Sequence, residues 1–194
     1  MKQEETKNTK VISAFPGCGK TYCFNKYKDS NVKILDSDSS EFSWVKDENG
    51  NNTKERNSEF PNNYIQHIKD SLGKVDIIFV SSHETVRDSL KNNNIEYIIV
   101  YPSLDSKEEY INRYISRGNN EGFINFINSN YENFIKDIKN ETYPHKIELR
   151  GKETIEDLIN YGYCHNFIAN HLYDSYGCPI DCQMCNHKKT IINL

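Results

Sequence analysis

Lys10-Val11-Ile12-Ser13-Ala14-Phe15-Pro16-Gly17-Cys18-Gly19-Lys20-Thr21 is the stretch that decides the fold. Its first half is apolar and partly β-branched, the composition of a short buried strand. Pro16 to Gly19 break that strand, and Lys20-Thr21 opens a helix predicted to run to about Lys28. A glycine-rich turn between strand and helix offers backbone N–H groups and the positive end of the helix dipole to an anion. Gly17 and Gly19 let the chain curl, Lys20 can reach phosphate oxygens, and the Thr21 hydroxyl can reach Mg²⁺. Ala14 stands where the pattern G-x-x-x-x-G-K-[ST] has its first glycine, a difference of one methyl group. Pro16, Gly17, Cys18, Gly19, Lys20 and Thr21 are thus the candidate nucleotide-phosphate residues.

Outward from this loop, strands and helices alternate. Strands are expected at Val32–Asp36, Asp76–Ser82, Tyr97–Tyr101 and Lys146–Leu149. Helices are expected at Asn62–Leu72, His83–Asn92, Ser106–Arg117, Phe123–Asn140 and Thr154–Ile159, where apolar residues recur at helical spacing. Residues 46–58 are polar and rich in Asn, and are expected to form a mobile loop. Alternation of this kind predicts an α/β domain over residues 1–159, with a five-stranded parallel sheet covered on both faces. From residue 160 to 194 the composition shifts to a small Cys- and His-rich extension.

The composition narrows the class. The 194 residues suit one ordinary domain with a short remainder. Net charge is -4, so a globally basic nucleic-acid footprint is missing, although a local patch stays open. Aromatic residues reach 12%, which argues against disorder throughout despite a mean hydropathy of -0.79. No apolar stretch approaches the roughly 20 residues that span a bilayer, and Met1–Lys7 lacks the apolar segment of a signal peptide. A cytoplasmic protein with no membrane partner is expected, its six cysteines reduced or bound to metal.

Further polar residues fall where ligands gather in a doubly wound sheet, beyond the carboxyl ends of the strands. Asp36-Ser37-Asp38-Ser39-Ser40 ends the second strand. Asp36 and Asp38 could share the waters of Mg²⁺, or one could accept a proton from a substrate hydroxyl; turn chemistry is the plainer alternative. Ser81-Ser82-His83 ends the third strand, with Arg87 one turn later. The Mg²⁺-linked aspartate usual at this point in nucleotide-hydrolysing motors is replaced by serine. His83 and Arg87 could hold an acceptor phosphate or base. Phe42 and Trp44 could stack on a base, as could Phe60 and Tyr64, or all four could be core. Arg56 is a weaker candidate for closing over the acceptor. Arg113 and Arg117 share one helix face before a break at Gly118–Gly122, and form either a short lid or a solvated face paired with Glu108 and Glu109.

The loop, the order of strands and helices and these arginines resemble the P-loop kinases of the nucleoside monophosphate kinase group, which are adenylate-kinase-like, over about residues 10–159. The stretches Phe15–Thr21, Leu35–Trp44 and Phe79–Arg87 are also similar to uncharacterised phage and bacterial P-loop proteins. The resemblance implies a three-layer P-loop NTPase fold, ATP and Mg²⁺. It implies transfer of the γ-phosphoryl group to a small acceptor, first of all a ribo- or deoxynucleoside monophosphate. Lys20, Asp36, Asp38, Arg113 and Arg117 would be the catalytic residues, with Asp38, Phe42, Trp44, His83 and Arg87 on the substrate. Two alternatives stay open: a kinase acting on a hydroxyl of a small metabolite or of a modified base in DNA, and a nucleotide-binding regulatory module without turnover.

In the C-terminal extension, Cys178, Cys182, Cys185 and His187 could supply the four ligands of a zinc site. The spacing Cys-x3-Cys-x2-Cys also matches an iron–sulfur motif, and a reduced cluster without metal is the third alternative.

Overall fold

The computed structural model describes residues 8–161. Five strands form a parallel sheet: β1 (Lys10–Ala14), β2 (Ile34–Asp36), β5 (Ile77–Ser81), β6 (Ile98–Pro102) and β7 (His145–Leu149), in the order β2-β5-β1-β6-β7. The α/β class and the five-stranded parallel sheet expected from the sequence are therefore present. β1 and β5 read as runs of apolar residues because both of their faces are covered, which alternation on a half-buried strand would not allow.

The order fixes where a ligand can sit. From β1 the chain crosses outward to β2, then steps back through β5 and past β1 to β6 and β7. Right-handed crossovers place α1 (Lys20–Tyr27) on one face and α3 (Asn62–Ser71), α4 (Glu84–Asn92) and α6 (Glu121–Asn140) on the other. The helix contacts agree: α1 meets α7 (Ile155–Tyr161), α3 meets α4, and α5 (Lys107–Ser116) meets α6. The reversal of direction puts the switch point of the sheet at the carboxyl end of β1, where open sheets of this class form a crevice. The register aligns the strand ends around it, with Ala14 opposite both Ser81 and Val100, and Asp36 opposite Phe79.

The core is rich in aromatics. Phe15 packs edge-on against Tyr131 at 5.8 Å between ring centres, and Tyr131 donates its hydroxyl proton to Ser103 O at 2.9 Å. The four largest fully buried side chains are all tyrosines: Tyr64, Tyr110, Tyr114 and Tyr131. Tyrosine supplies apolar area and one polar tip that must be satisfied. Among the described residues no helix is long and apolar enough to cross a membrane.

One expectation is overturned. Residues 46–58 are not a mobile loop. Short helix α2 (Ser40–Ser43) leads into β3 (Trp44–Lys46), which pairs antiparallel with β4 (Asn52–Arg56) in a separate hairpin. The turn explains its order. Asp47 accepts the N–H groups of Asn49 at 2.9 Å and Asn51 at 2.8 Å, and Gly50 takes φ +80°. These bonds, that from Asn51 first, hold the Asp47 carboxyl below its ordinary range. Most residues of β4 are exposed, so no alternation of apolar and polar residues marks it as a strand.

Tyr64 ties the ends of β2 and β5 together. Its buried hydroxyl donates to Ser37 O at 2.7 Å and accepts from Ser81 N at 3.3 Å. Burial pushes its ionisation up to about 12, so it stays a phenol. Tyr64→Phe is expected to destabilise the domain by about 1–3 kcal/mol, because both backbone groups lose a partner. A shift of the urea midpoint at unchanged slope would measure it.

Candidate functional site

The loop between β1 and α1 is built on two left-handed glycines, Gly17 at φ +87° and Gly19 at φ +100°. A side chain at either would be strained by the left-handed backbone and would find little space. A Cβ on Gly17 would lie 3.0 Å from the Tyr110 ring and 3.1 Å from that of Tyr114, and one on Gly19 would lie 3.3 Å from Thr154 Cβ. Every carbonyl from Ala14 to Cys18 is taken. Lys20 Nζ donates to Ala14 O at 2.8 Å and Cys18 N to Phe15 O at 3.2 Å. The Tyr114 hydroxyl donates to Pro16 O at 2.7 Å, Arg113 Nη1 to Gly17 O at 3.0 Å, and Ile155 N to Cys18 O at 2.9 Å. Among the described residues no acceptor takes the N–H groups of Gly17, Gly19, Lys20 or Thr21. These donors at the start of a helix have the chemistry of an anion cradle. Burial lowers the ionisation of Lys20, opposed by the charges of Cys18, Asp36 and Asp38, while Arg117 adds to the lowering.

Beside the cradle, the Thr21 hydroxyl donates to Asp36 Oδ2 at 2.7 Å. A hydroxyl and a carboxylate so placed suit Mg²⁺, which keeps phosphate oxygens and waters as its other ligands. The strand beyond Asp36 is strapped over the end of β5: Ser37 N donates to Phe79 O at 2.9 Å and Ser39 N to Ser81 Oγ at 3.2 Å. Asp38 lies exposed on this strap, with Oδ1 accepting from Ser40 N at 2.9 Å. The turn chemistry and the position at the site coexist. Ser37 Oγ is buried with no hydrogen-bond partner among the described residues.

His83 stands at the N-terminus of α4 with its side chain exposed. The surrounding protein lowers its ionisation; Asp38 opposes this, while Lys20, Arg87 and Arg56 add to it. Arg87 is buried and turned to the protein's own groups. It pairs through Nε with Glu141 and through Nη1 with Ser82 O. Tyr97 completes that network by donating to Glu141 Oε2 at 3.1 Å. Arg56 lies over the Trp44 ring at 3.9 Å, across the hairpin from its register partner. Phe42 packs against Tyr64 at 5.0 Å and His67 at 4.7 Å, and Phe60 stacks near Tyr64 at 6.3 Å. The structure therefore joins Thr21 to Asp36 next to Lys20, while the charges of Asp36, Asp38 and Arg117 act on Lys20 and those of Asp38, Lys20 and Arg56 on His83. Phe42 and Tyr64 belong to the core.

Arg113 acts differently from Arg117, its neighbour on α5. It pairs with Glu109 at 3.0 Å, covers the Tyr110 ring at 4.6 Å, and donates to Gly17 O and to Glu153 O at 3.4 Å. It joins α5 to the glycine loop and to the β7–α7 connection. Arg117 ends α5 with its side chain exposed. The residues that sequence reasoning missed are Tyr110, Tyr114, Thr154 and Ile155. The spacing Tyr110-x3-Tyr114 around Arg113 was the available signal, but aromatics at helical spacing more often mean core. Cys164, His165, Cys178, Cys182, Cys185 and His187 lie outside the described residues.

No protein-family model matches the chain, and no curated protein matches it.

The Cys18 side chain turns away from the cradle into the core, with Sγ 3.3 Å from the Tyr110 hydroxyl. Burial pushes its thiol up to about 11. At pH 7.5 the native protein is expected to leave Cys18 unmodified by iodoacetamide and to expose it fully in denaturant, read by peptide mass spectrometry. Gly17→Ala is expected to cost about 1–2 kcal/mol from the backbone alone, plus displacement of Tyr110, read as a lowered thermal midpoint.

Proposed function

We propose that the chain is a Mg²⁺- and nucleoside-triphosphate-dependent phosphotransferase, with ATP as donor, acting on a small acceptor. The observation that carries this is the glycine loop. Its carbonyls are engaged elsewhere, its N–H groups and Lys20 are gathered at a helix start, and the Thr21–Asp36 pair lies alongside. Counted alone, the five parallel strands follow the order 2-3-1-4-5, which supports the resemblance to P-loop kinases and the three-layer fold it implies.

On this proposal the N–H groups and Lys20 bind the β- and γ-phosphates. Thr21 and Asp36 would hold Mg²⁺, which supplies charge neutralisation at those oxygens. Phosphoryl transfer needs little covalent help from protein, so positioning and electrostatics dominate. Arg117, exposed near Lys20, is the residue able to turn toward the charge that develops. Arg113 keeps the loop in shape rather than touching the transferring group. The hairpin 44–56 lies between β2 and β5 in sequence, and the charge of Arg56 acts on His83, which supports a place for the hairpin at the acceptor side. The resemblance implies a ribo- or deoxynucleoside monophosphate as the acceptor, with a hydroxyl acceptor as the rival.

Lys20→Ala is expected to weaken MgATP binding at least about tenfold and to abolish ADP formation. Asp36→Asn is expected to raise the Mg²⁺ concentration needed for half-maximal activity by about tenfold. Calorimetric binding and a coupled ADP assay over nucleoside monophosphates and neutral nucleosides would measure both. ATP binding without acceptor-dependent ADP would favour a regulatory binding module, and no Lys20-dependent ATP binding would end the proposal.

A further inference from the structure

The fixed charges at the acceptor end are unevenly assigned. A phosphate acceptor brings about two negative charges and usually meets a clamp of arginines. Here Arg87 is buried against Glu141 and Ser82 O, and Arg113 is held by Glu109 and the carbonyls of Gly17 and Glu153. Arg56 lies over the Trp44 ring. Asp38 stands exposed on the strap after β2, where an acceptor phosphate would meet its charge. His83 follows the end of β5 two residues beyond Ser81, whose Oγ takes Ser39 N from that same strap. The imidazole is exposed and makes no side-chain hydrogen bond among the described residues.

We infer that the acceptor brings an uncharged hydroxyl to the crevice and that His83 is the catalytic residue that takes its proton; the inference rests on the phosphotransferase proposal above. The hydroxyl oxygen forms the new bond to the γ-phosphorus. The bond from that phosphorus to the β,γ-bridging oxygen breaks, and its electron pair stays on the departing nucleoside diphosphate. The hydroxyl proton passes to the free ring nitrogen of His83 and is later lost to solvent. The negative charge of Asp38 favours the imidazolium while the proton is held. The charged groups that act on His83 are Asp38 after β2, Lys20 on α1, Arg87 on α4 and Arg56 on β4. Partial loss of water to the surrounding protein comes first, the three cations add to it and Asp38 opposes it, and together they lower its ionisation from the ordinary 6.5. The ring is therefore already neutral, and able to accept a proton, at pH 7.

The test uses MgATP with water as the hydroxyl donor, so it needs no identified acceptor. Lys20-dependent hydrolysis should rise with pH through a transition below 6.5 and then level off. His83→Gln should lower the plateau about 100-fold and remove the transition, with MgATP affinity unchanged by calorimetry. His83→Asn should behave alike. Unchanged hydrolysis and an unchanged pH profile in both variants would overturn the role of His83 while leaving the donor site intact. Binding of MgATP with no hydrolysis by the native protein would also overturn it. Equal transfer to nucleoside monophosphates by native protein and His83→Gln would overturn both the base and the hydroxyl acceptor. Absence of Lys20-dependent MgATP binding would instead sink the phosphotransferase proposal itself.

Discussion

The geometry of this domain depends on the engagement of five successive carbonyls, from Ala14 to Cys18. A chain that reverses within a few residues must turn some of its peptide groups outward and some inward. Here the outward carbonyls are met by Lys20, Cys18 N, Tyr114, Arg113 and Ile155 N, drawn from α1, α5 and the start of α7 as well as from the loop itself. Three separate parts of the chain thus agree on one loop conformation. The positive φ values of Gly17 and Gly19 are the local cost of that agreement, and they are sustained because the neighbours over-determine them.

The arginines show how the same residue type serves two ends. Arg87 and Arg113 are struts. Each reaches a backbone carbonyl and a glutamate, and each joins elements that are distant in sequence, α4 to the segment before β7 and α5 to the loop. A guanidinium suits that work because its donors are fixed in one plane and always charged. Arg56 and Arg117 remain exposed. Removing Arg113 takes the cation from Glu109, and removing the buried Arg87 leaves the charge of Glu141 facing the Tyr97 hydroxyl without its cation.

Much of the framework was legible in the sequence. Apolar runs such as Ile77–Val80 have no use outside a sheet covered on both faces, and the Pro16–Gly19 break announced the loop. The boundaries of the later helices followed from spacing and from the Gly118–Gly122 interruption. The hairpin did not emerge, because its strands are short, largely exposed and paired only with each other; Asn49-Gly50 was the turn signal that could have marked it. The division of the arginines was also hidden. Arg87 and Arg113 are separated from Glu141 and Gly17 by long stretches of chain, and nothing local distinguishes a strut from a ligand contact. Thr21 and Asp36, in contrast, were both marked in advance, because each ends or begins an element at the carboxyl edge of the sheet.

The hairpin has a structural consequence of its own. β3 and β4 form a sheet apart from the main one, and the base of the unit is closed by Asn57 N on Ser43 O at 3.1 Å and Asn63 Nδ2 on Phe42 O at 2.9 Å. No ladder bond joins it to the five parallel strands. Its length and tip sequence can therefore vary without disturbing the loop, the strap or the sheet. The domain thus separates the glycine loop and its sheet from a module at the rim that answers to its own hydrogen bonds, so change can accumulate in the one without being transmitted to the other.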